Sequence, residues 1–308
     1  MPATPPPNDL GFGNRLAEES TARLLNRDGS FNVGRAGLSV FQSLGLYHYL
    51  LTLSWVRFQF LAALAYFVTN LIFAAAYFIC GPESLHGSVA TTPFDRYLDA
   101  FFFSVQTLAT IGYGRLTPNG IPANIVVSVE ALLGLMGFAL ITGILFARFS
   151  RPSMRIVFSH KAVVAPYRGI TAFEFRIANQ RNTQLVNVQA TVVMSLRDPE
   201  TGKRNFNSLT LERDAVMFFP LHWVVVHPID EASSMHGMDS RALAARDAEF
   251  FVLLSATDEV FSQIVHARSS YKFDEVVWDA KFSDMFQKIE GGRVAIDLRN
   301  IHNIENVR

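Results

Sequence analysis

The sequence is short of charge and has almost no cysteine. Charged side chains make up 18% of its 308 residues, where soluble domains carry about a quarter. Basic and acidic side chains number 27 each, for a formal net charge of zero. No basic excess points to a nucleic-acid partner. A single cysteine, Cys80, excludes an intrachain disulfide and a cysteine-cluster metal site. The eight histidines lack metal-ligand spacing; His222, His227 and His236 are scattered. A phosphate loop with its lysine is missing, as is any nucleophile motif. Catalysis, nucleotide hydrolysis and a bound cofactor are therefore not expected. The N-terminal stretch MPATPPPNDLGFGNR has no apolar core or cleavage site of a signal peptide. Its prolines and polar residues predict a flexible tail over residues 1–37.

What is abundant is apolar. Half the chain is hydrophobic, and the excess is concentrated between residues 50 and 150. Phe58 to Cys80 carries no charge and ends at Gly81 and Pro82; at about 1.5 Å per residue it spans a hydrocarbon core. Ile121 to Phe149 is a second span, with one acid, Glu130, and small residues at Gly134, Gly137 and Gly143 that let helices approach closely in lipid. Tyr97 to Ala109 is apolar but too short to cross. It reads as a re-entrant helix running into a glycine motif, which lipid tolerates only where protein or a watery cavity surrounds the backbone. Residues 51–150 thus form a membrane domain, and residues 38–50 a helix lying on the membrane surface. Arg15, Arg23, Arg27 and Arg35 precede the first span, and Arg148, Arg151, Arg155 and Lys161 follow the second. Both termini are therefore expected in the cytoplasm.

From Arg155 onwards the apolar period changes. Stretches such as ITAFEFRIAN, QLVNVQATVVMSL and AEFFVLLSAT are β-branched and alternating, with turn residues between them. Residues 151–308 are predicted to form an all-β sandwich.

The residues that carry chemistry are Thr110, Ile111, Gly112, Tyr113 and Gly114, preceded by a short helix and flanked by two spans. A potassium ion must exchange its hydration shell for oxygen ligands, and rings of backbone carbonyls contributed by four chains do this in TVGYG loops. Gly112 and Gly114 permit backbone angles closed to residues with a Cβ. Carbonyls of Thr110, Ile111, Gly112 and Tyr113 are the expected K+ ligands, with the Thr110 hydroxyl beside them. The ion is the permeant species, not a cofactor. The helix before the loop aims the negative end of its dipole at the ion path.

The chain resembles an inward-rectifier potassium channel, most closely the prokaryotic KirBac branch. Four stretches carry the resemblance: FFFSVQTLATIGYG, GILFARFSRP, WVVVHPIDEASSMHG and HARSSYKFDEVVWDAKFSD. It implies a homotetramer in a cell membrane, that of a bacterium. Its fold would be two transmembrane helices and a pore helix, followed by an immunoglobulin-like cytoplasmic sandwich. The pore would be gated at the cytoplasmic end of the inner helices.

The resemblance also implies roles. Phe146 sits where a bulky residue closes the inner-helix bundle, and Gly134 and Gly143 are hinge positions. Phe138 occupies the cavity position at which strong rectifiers carry an acid. Gln106 stands behind the filter where many members have a glutamate ion-paired to arginine, so bracing must differ here. Glu130, as an intramembrane acid, joins it as filter support. Arg148, Arg151 and Arg155 would meet anionic lipid head groups, phosphoinositide among them. Asp258 and Glu259 would ring the cytoplasmic pore.

Two other readings compete. A two-span channel with a Rossmann-type regulatory domain needs alternating strands and helices with a glycine fingerprint, and the short strands oppose it. A non-conducting membrane scaffold has no need for the TIGYG loop.

Overall fold

The computed structural model describes residues 23–32, 45–150, 154–181, 184–219, 222–288 and 294–307. The chain divides into two compact units. Residues 36–151 form one, and residues 1–35 with 152–308 form the other.

The first unit is helical. A short helix, α1 (Leu46–Thr52), precedes α2 (Trp55–Ile79), a 25-residue helix. The larger part of the surface helix expected over 38–50 lies outside the described residues. A two-stranded ribbon, β1 (Leu85–His86) with β2 (Thr117–Pro118), brackets α3 (Pro93–Leu108). The last helix, α4, runs unbroken from Gly120 to Phe149 over 30 residues. Both α2 and α4 are long and apolar enough to cross a membrane. Polar signals set the start of α3. Thr92 accepts a hydrogen bond from the Asp95 N–H through its hydroxyl, and Pro93 takes the first helical position, where its missing N–H costs nothing. The unit's core joins all three long helices, with Phe73, Ala74 and Tyr77 of α2, Ala100 and Phe103 of α3, and Ala123 of α4. The Tyr77 and Phe103 rings meet edge to face at 5.1 Å.

The second unit is a β-sandwich. In one sheet β11 (Gln263–Lys272), β10 (Glu249–Asp258) and β6 (Leu185–Arg197) lie in that order. The outer edge of β6 is shared by β7 (Arg204–Leu209) and β8 (Ala215–Phe218). In the other sheet β5 (Ile170–Asn179) pairs with β9 (His222–Ile229) on one edge. β3 (Ile156–Phe158) and β4 (Ala162–Tyr167) pair with β5 as well, and β12 (Val276–Trp278) adds to β4 in parallel. Alternate residues of the two sheets interdigitate: Phe173, Phe175 and Ile177 face Val192, Met194, Phe250 and Val252. This is the layered all-β domain that the alternating stretches predict.

Residues 23–32 depart from the flexible tail expected over 1–37. Leu24 and Leu25 are buried against Phe251. Arg23 and Arg27 both pair with Glu275, at 3.0 and 2.8 Å. Glu249, fully buried, accepts hydrogen bonds from the Leu24 and Leu25 N–H groups. Two leucines between two arginines carry no period of their own, and only the sheet surface supplies their partners.

Candidate functional site

The helix α3 ends at Leu108, and the chain turns back on it at once. The N–H groups of Ile111 and Gly112 donate to the Gln106 carbonyl at 2.7 and 3.3 Å. This satisfies a helix-end acceptor that would otherwise be unpaired in lipid. Beyond the turn the backbone alternates in handedness. Thr110, Gly112 and Gly114 have φ of 55°, 57° and 76°, while Ile111 and Tyr113 between them stay negative. In a strand, successive carbonyls point to opposite sides. Alternating handedness turns each peptide by about half a revolution more, so successive carbonyls line one side. Two of the three left-handed positions are glycine, where that conformation is free. Thr110 is the third, a β-branched residue held at an unfavourable angle.

The row is open on one face. Ile111 is 48% and Tyr113 76% exposed within the subunit. A single chain, open on this face, does not enclose a site by itself.

Behind the row, three helices are tied by buried polar groups. Glu130 of α4, Ser104 of α3 and Asn70 and Tyr77 of α2 are all fully buried. Tyr77 donates its hydroxyl to Glu130 Oε2 at 2.5 Å. Ser104 Oγ lies 2.5 Å from Glu130 Oε1 and 2.9 Å from Asn70 Oδ1. The Asn70 amide nitrogen donates to the Tyr66 carbonyl at 2.8 Å. Sequence reasoning singled out Glu130 and missed its three partners. The signal was present: Asn70 and Tyr77 are about two turns apart on a largely apolar span, and polar residues in such spans seek one another.

The remaining expected residues separate. Gln106 meets the Thr110–Gly114 loop through its main-chain carbonyl. Phe138 and Phe146 are 75% and 73% exposed on α4 within the subunit. Gly134 is packed against the backbone of Leu108, and nothing stands within 4 Å of a Cβ at Gly143. Arg148 is turned inward. Its guanidinium donates to the carbonyls of Leu50 and Leu53 at 2.5 and 2.6 Å and lies over the rings of Trp55 and Phe58. It therefore caps the end of α1, which corrects the expectation of a side chain free for lipid. Arg151 lies outside the described residues, and Arg155 is exposed. Asp258, expected to ring the cytoplasmic pore, is only 2% exposed. Its carboxylate accepts from the Val260 and Phe261 N–H groups and closes the β10–β11 turn. The carboxylate is engaged by the turn, because a hairpin corner needs an acceptor at that place. Glu259 beside it is exposed.

Comparison with known proteins bears on most of the chain. Residues 65–151 match the family model described as an ion channel, and residues 156–308 the one for the inward rectifier potassium channel C-terminal domain. The inward rectifier potassium channel Kirbac3.1 of Paramagnetospirillum magnetotacticum is 40% identical over 286 residues, covering 92% of this chain and 95% of that protein. The human G protein-activated inward rectifier potassium channel 3 is 30% identical over 302 residues, covering 91% of this chain and 77% of that protein.

Proposed function

Since this chain belongs to the inward rectifier potassium channel family, we propose that four copies of it surround one axis and that Thr110 to Gly114 of each supply the carbonyls that select K+. The chain is a potassium channel subunit and not an enzyme. The observation behind the proposed assembly is the row of alternating handedness, Thr110, Gly112 and Gly114 against Ile111 and Tyr113, left open on one face. A four-fold axis closes that face and replaces the ion's hydration shell on all sides. Carbonyls of Thr110, Ile111, Gly112 and Tyr113 hold the ions in passage.

The inner helix α4 supplies the rest of the path. Phe138 faces the cavity. Phe146 forms the ring at the cytoplasmic end, where four phenyl groups narrow and dewet the exit. Gly143, with open space around it, is the hinge for that ring, and Gly134 is the pivot held against α3. Both termini lie in the cytoplasm of a bacterial cell, and Arg155 and Arg151 meet anionic lipid. Glu259 lends negative charge to the cytoplasmic pore.

Rubidium uptake into liposomes holding the purified channel tests this reading. Potassium and rubidium are expected to pass, sodium to be excluded, and barium to block at the filter. Equal sodium and potassium flux would end it.

A further inference from the structure

The protons of the buried cluster behind the filter can be counted, and the count assigns a role to Glu130. The Asn70 amide nitrogen must face the Tyr66 carbonyl, since a carbonyl only accepts. Its Oδ1 therefore faces Ser104 and needs a donor, and the single Ser104 hydroxyl proton goes there, at 2.9 Å. Ser104 Oγ has then no proton left for Glu130 Oε1, only 2.5 Å away. Two oxygens at that distance without a proton between them repel. The proton between them belongs to Glu130. Tyr77 donates to the other carboxyl oxygen at 2.5 Å. Each contact in the cluster then has one donor and one acceptor, running Tyr77 to Glu130 to Ser104 to Asn70 to the Tyr66 carbonyl.

An ionised Glu130 breaks this order. Ser104 would have to serve two acceptors with one proton. A bare carboxylate would also sit fully buried at membrane depth, and no lysine or arginine pairs with it among the described residues.

Resting on the reading of Thr110 to Gly114 as the filter, we propose that Glu130 is a positioning residue for K+ selection. It carries its proton and, through Ser104, fastens the pore helix to both spans by a one-way chain of hydrogen bonds. The chain takes the place of an ion pair at Gln106. Its position suits the task. Ser104 lies one turn before Leu108, and Glu130 one turn before Gly134, whose backbone touches Leu108. The two contacts form successive rungs between α3 and α4, and the filter leaves α3 directly after the second. A buried chain whose every contact has its proton is stiff, and a contact left with none, or with two acceptors for one proton, undoes that advantage.

The amide of Glu130→Gln reproduces the pattern, with its NH2 donating to Ser104 and its oxygen accepting from Tyr77. Glu130→Leu and Ser104→Ala break it. In liposomes, Glu130→Gln is expected to keep wild-type rubidium flux and sodium exclusion within about twofold, while the breaking variants admit sodium roughly tenfold more, the scale of one buried hydrogen bond. Ser104→Ala, the smaller change, serves where Glu130→Leu does not assemble. Infrared difference spectra of wild type against Glu130→Gln at neutral pH should show a protonated carboxyl C=O band lost in the variant. An ionised carboxylate in those spectra, or sodium leakage through Glu130→Gln equal to that of the breaking variants, would overturn the proposal. A wild type that passes no rubidium would instead strike at the channel reading, and the infrared result stands independently of flux.

Discussion

A Cβ placed on Gly134 would lie 2.7 Å from the carbonyl oxygen of Leu108, so α4 meets the last turn of the pore helix backbone to backbone. The obstacle is main chain, which cannot swing aside like a side chain. Gly134→Ala should therefore push the two helices apart at the base of the filter. Overpacking of this kind costs about 1–3 kcal/mol. Thermal unfolding in detergent is expected to show a lower midpoint for Gly134→Ala and little change for Gly143→Ala, whose added methyl meets no atom within 4 Å in the subunit. Equal loss in both variants would show that helix flexibility, not close contact, governs these positions.

Phe138 predicts weak rectification. An apolar ring at the cavity holds neither magnesium nor a polyamine, whereas a carboxylate ring between low-dielectric walls would. Current–voltage curves with internal spermine should show shallow block in the wild type and steep block in Phe138→Asp. Steep block of the wild type would remove Phe138 from the pore wall.

Arg148 and Arg155 should part company when each is changed to glutamine. Arg148 bridges the carbonyls of Leu50 and Leu53, and charged hydrogen bonds of this kind contribute about 1.5–3 kcal/mol. Its loss is expected to lower stability and flux in every lipid. Arg155 is exposed, and its loss should weaken only the response to anionic lipid, by about 1 kcal/mol. Flux in neutral and anionic liposomes separates the two. An Arg155→Gln channel with an unchanged lipid response leaves that residue to membrane topology alone.

His227 predicts acid sensitivity in the sandwich. Its Nδ1–H donates to the Thr210 carbonyl at 2.6 Å, and in the neutral ring Nε2 accepts from the Ser233 hydroxyl at 2.7 Å. The ring is held neutral. Burial pushes its pKa down, against the opposing pull of the Thr210 carbonyl and Asp230. The unfolded chain therefore takes up a proton first, near pH 6.5. Stability contributed by this histidine is complete above that pH and is lost as pH falls from there towards the lower native value. Melting of the wild type should drop across that window, and His227→Gln should flatten the drop. Parallel curves would assign the acid sensitivity to other groups.

How far the sequence reaches varies by element. The two spans follow from run length and from the scarcity of charge, and the short helix between them from an apolar run too brief to cross, since a bilayer accepts few alternatives. The alternating backbone of the TIGYG loop follows from its glycines, because left-handed backbone favours glycine and Gly112 and Gly114 stand at alternating places. Strand alternation from Arg155 onwards announces the sandwich. These features arise from neighbours in the chain or from the solvent, and a linear pattern records them.

Partner choice does not reside in such patterns. That Arg148 turns to Leu50 and Leu53, nearly a hundred residues away, depends on where α4 ends against α1. That Asp258 is buried and closes a hairpin depends on the β10–β11 register. Leu24 and Leu25 become core only because the sheet offers Phe251 and Glu249. The protonation of Glu130 was likewise beyond the sequence. The sequence shows an acid in a membrane span; the matching of its proton to Ser104 and Asn70 was decided by three helices meeting within hydrogen-bond distance, where burial leaves no water to absorb an unmatched donor or acceptor.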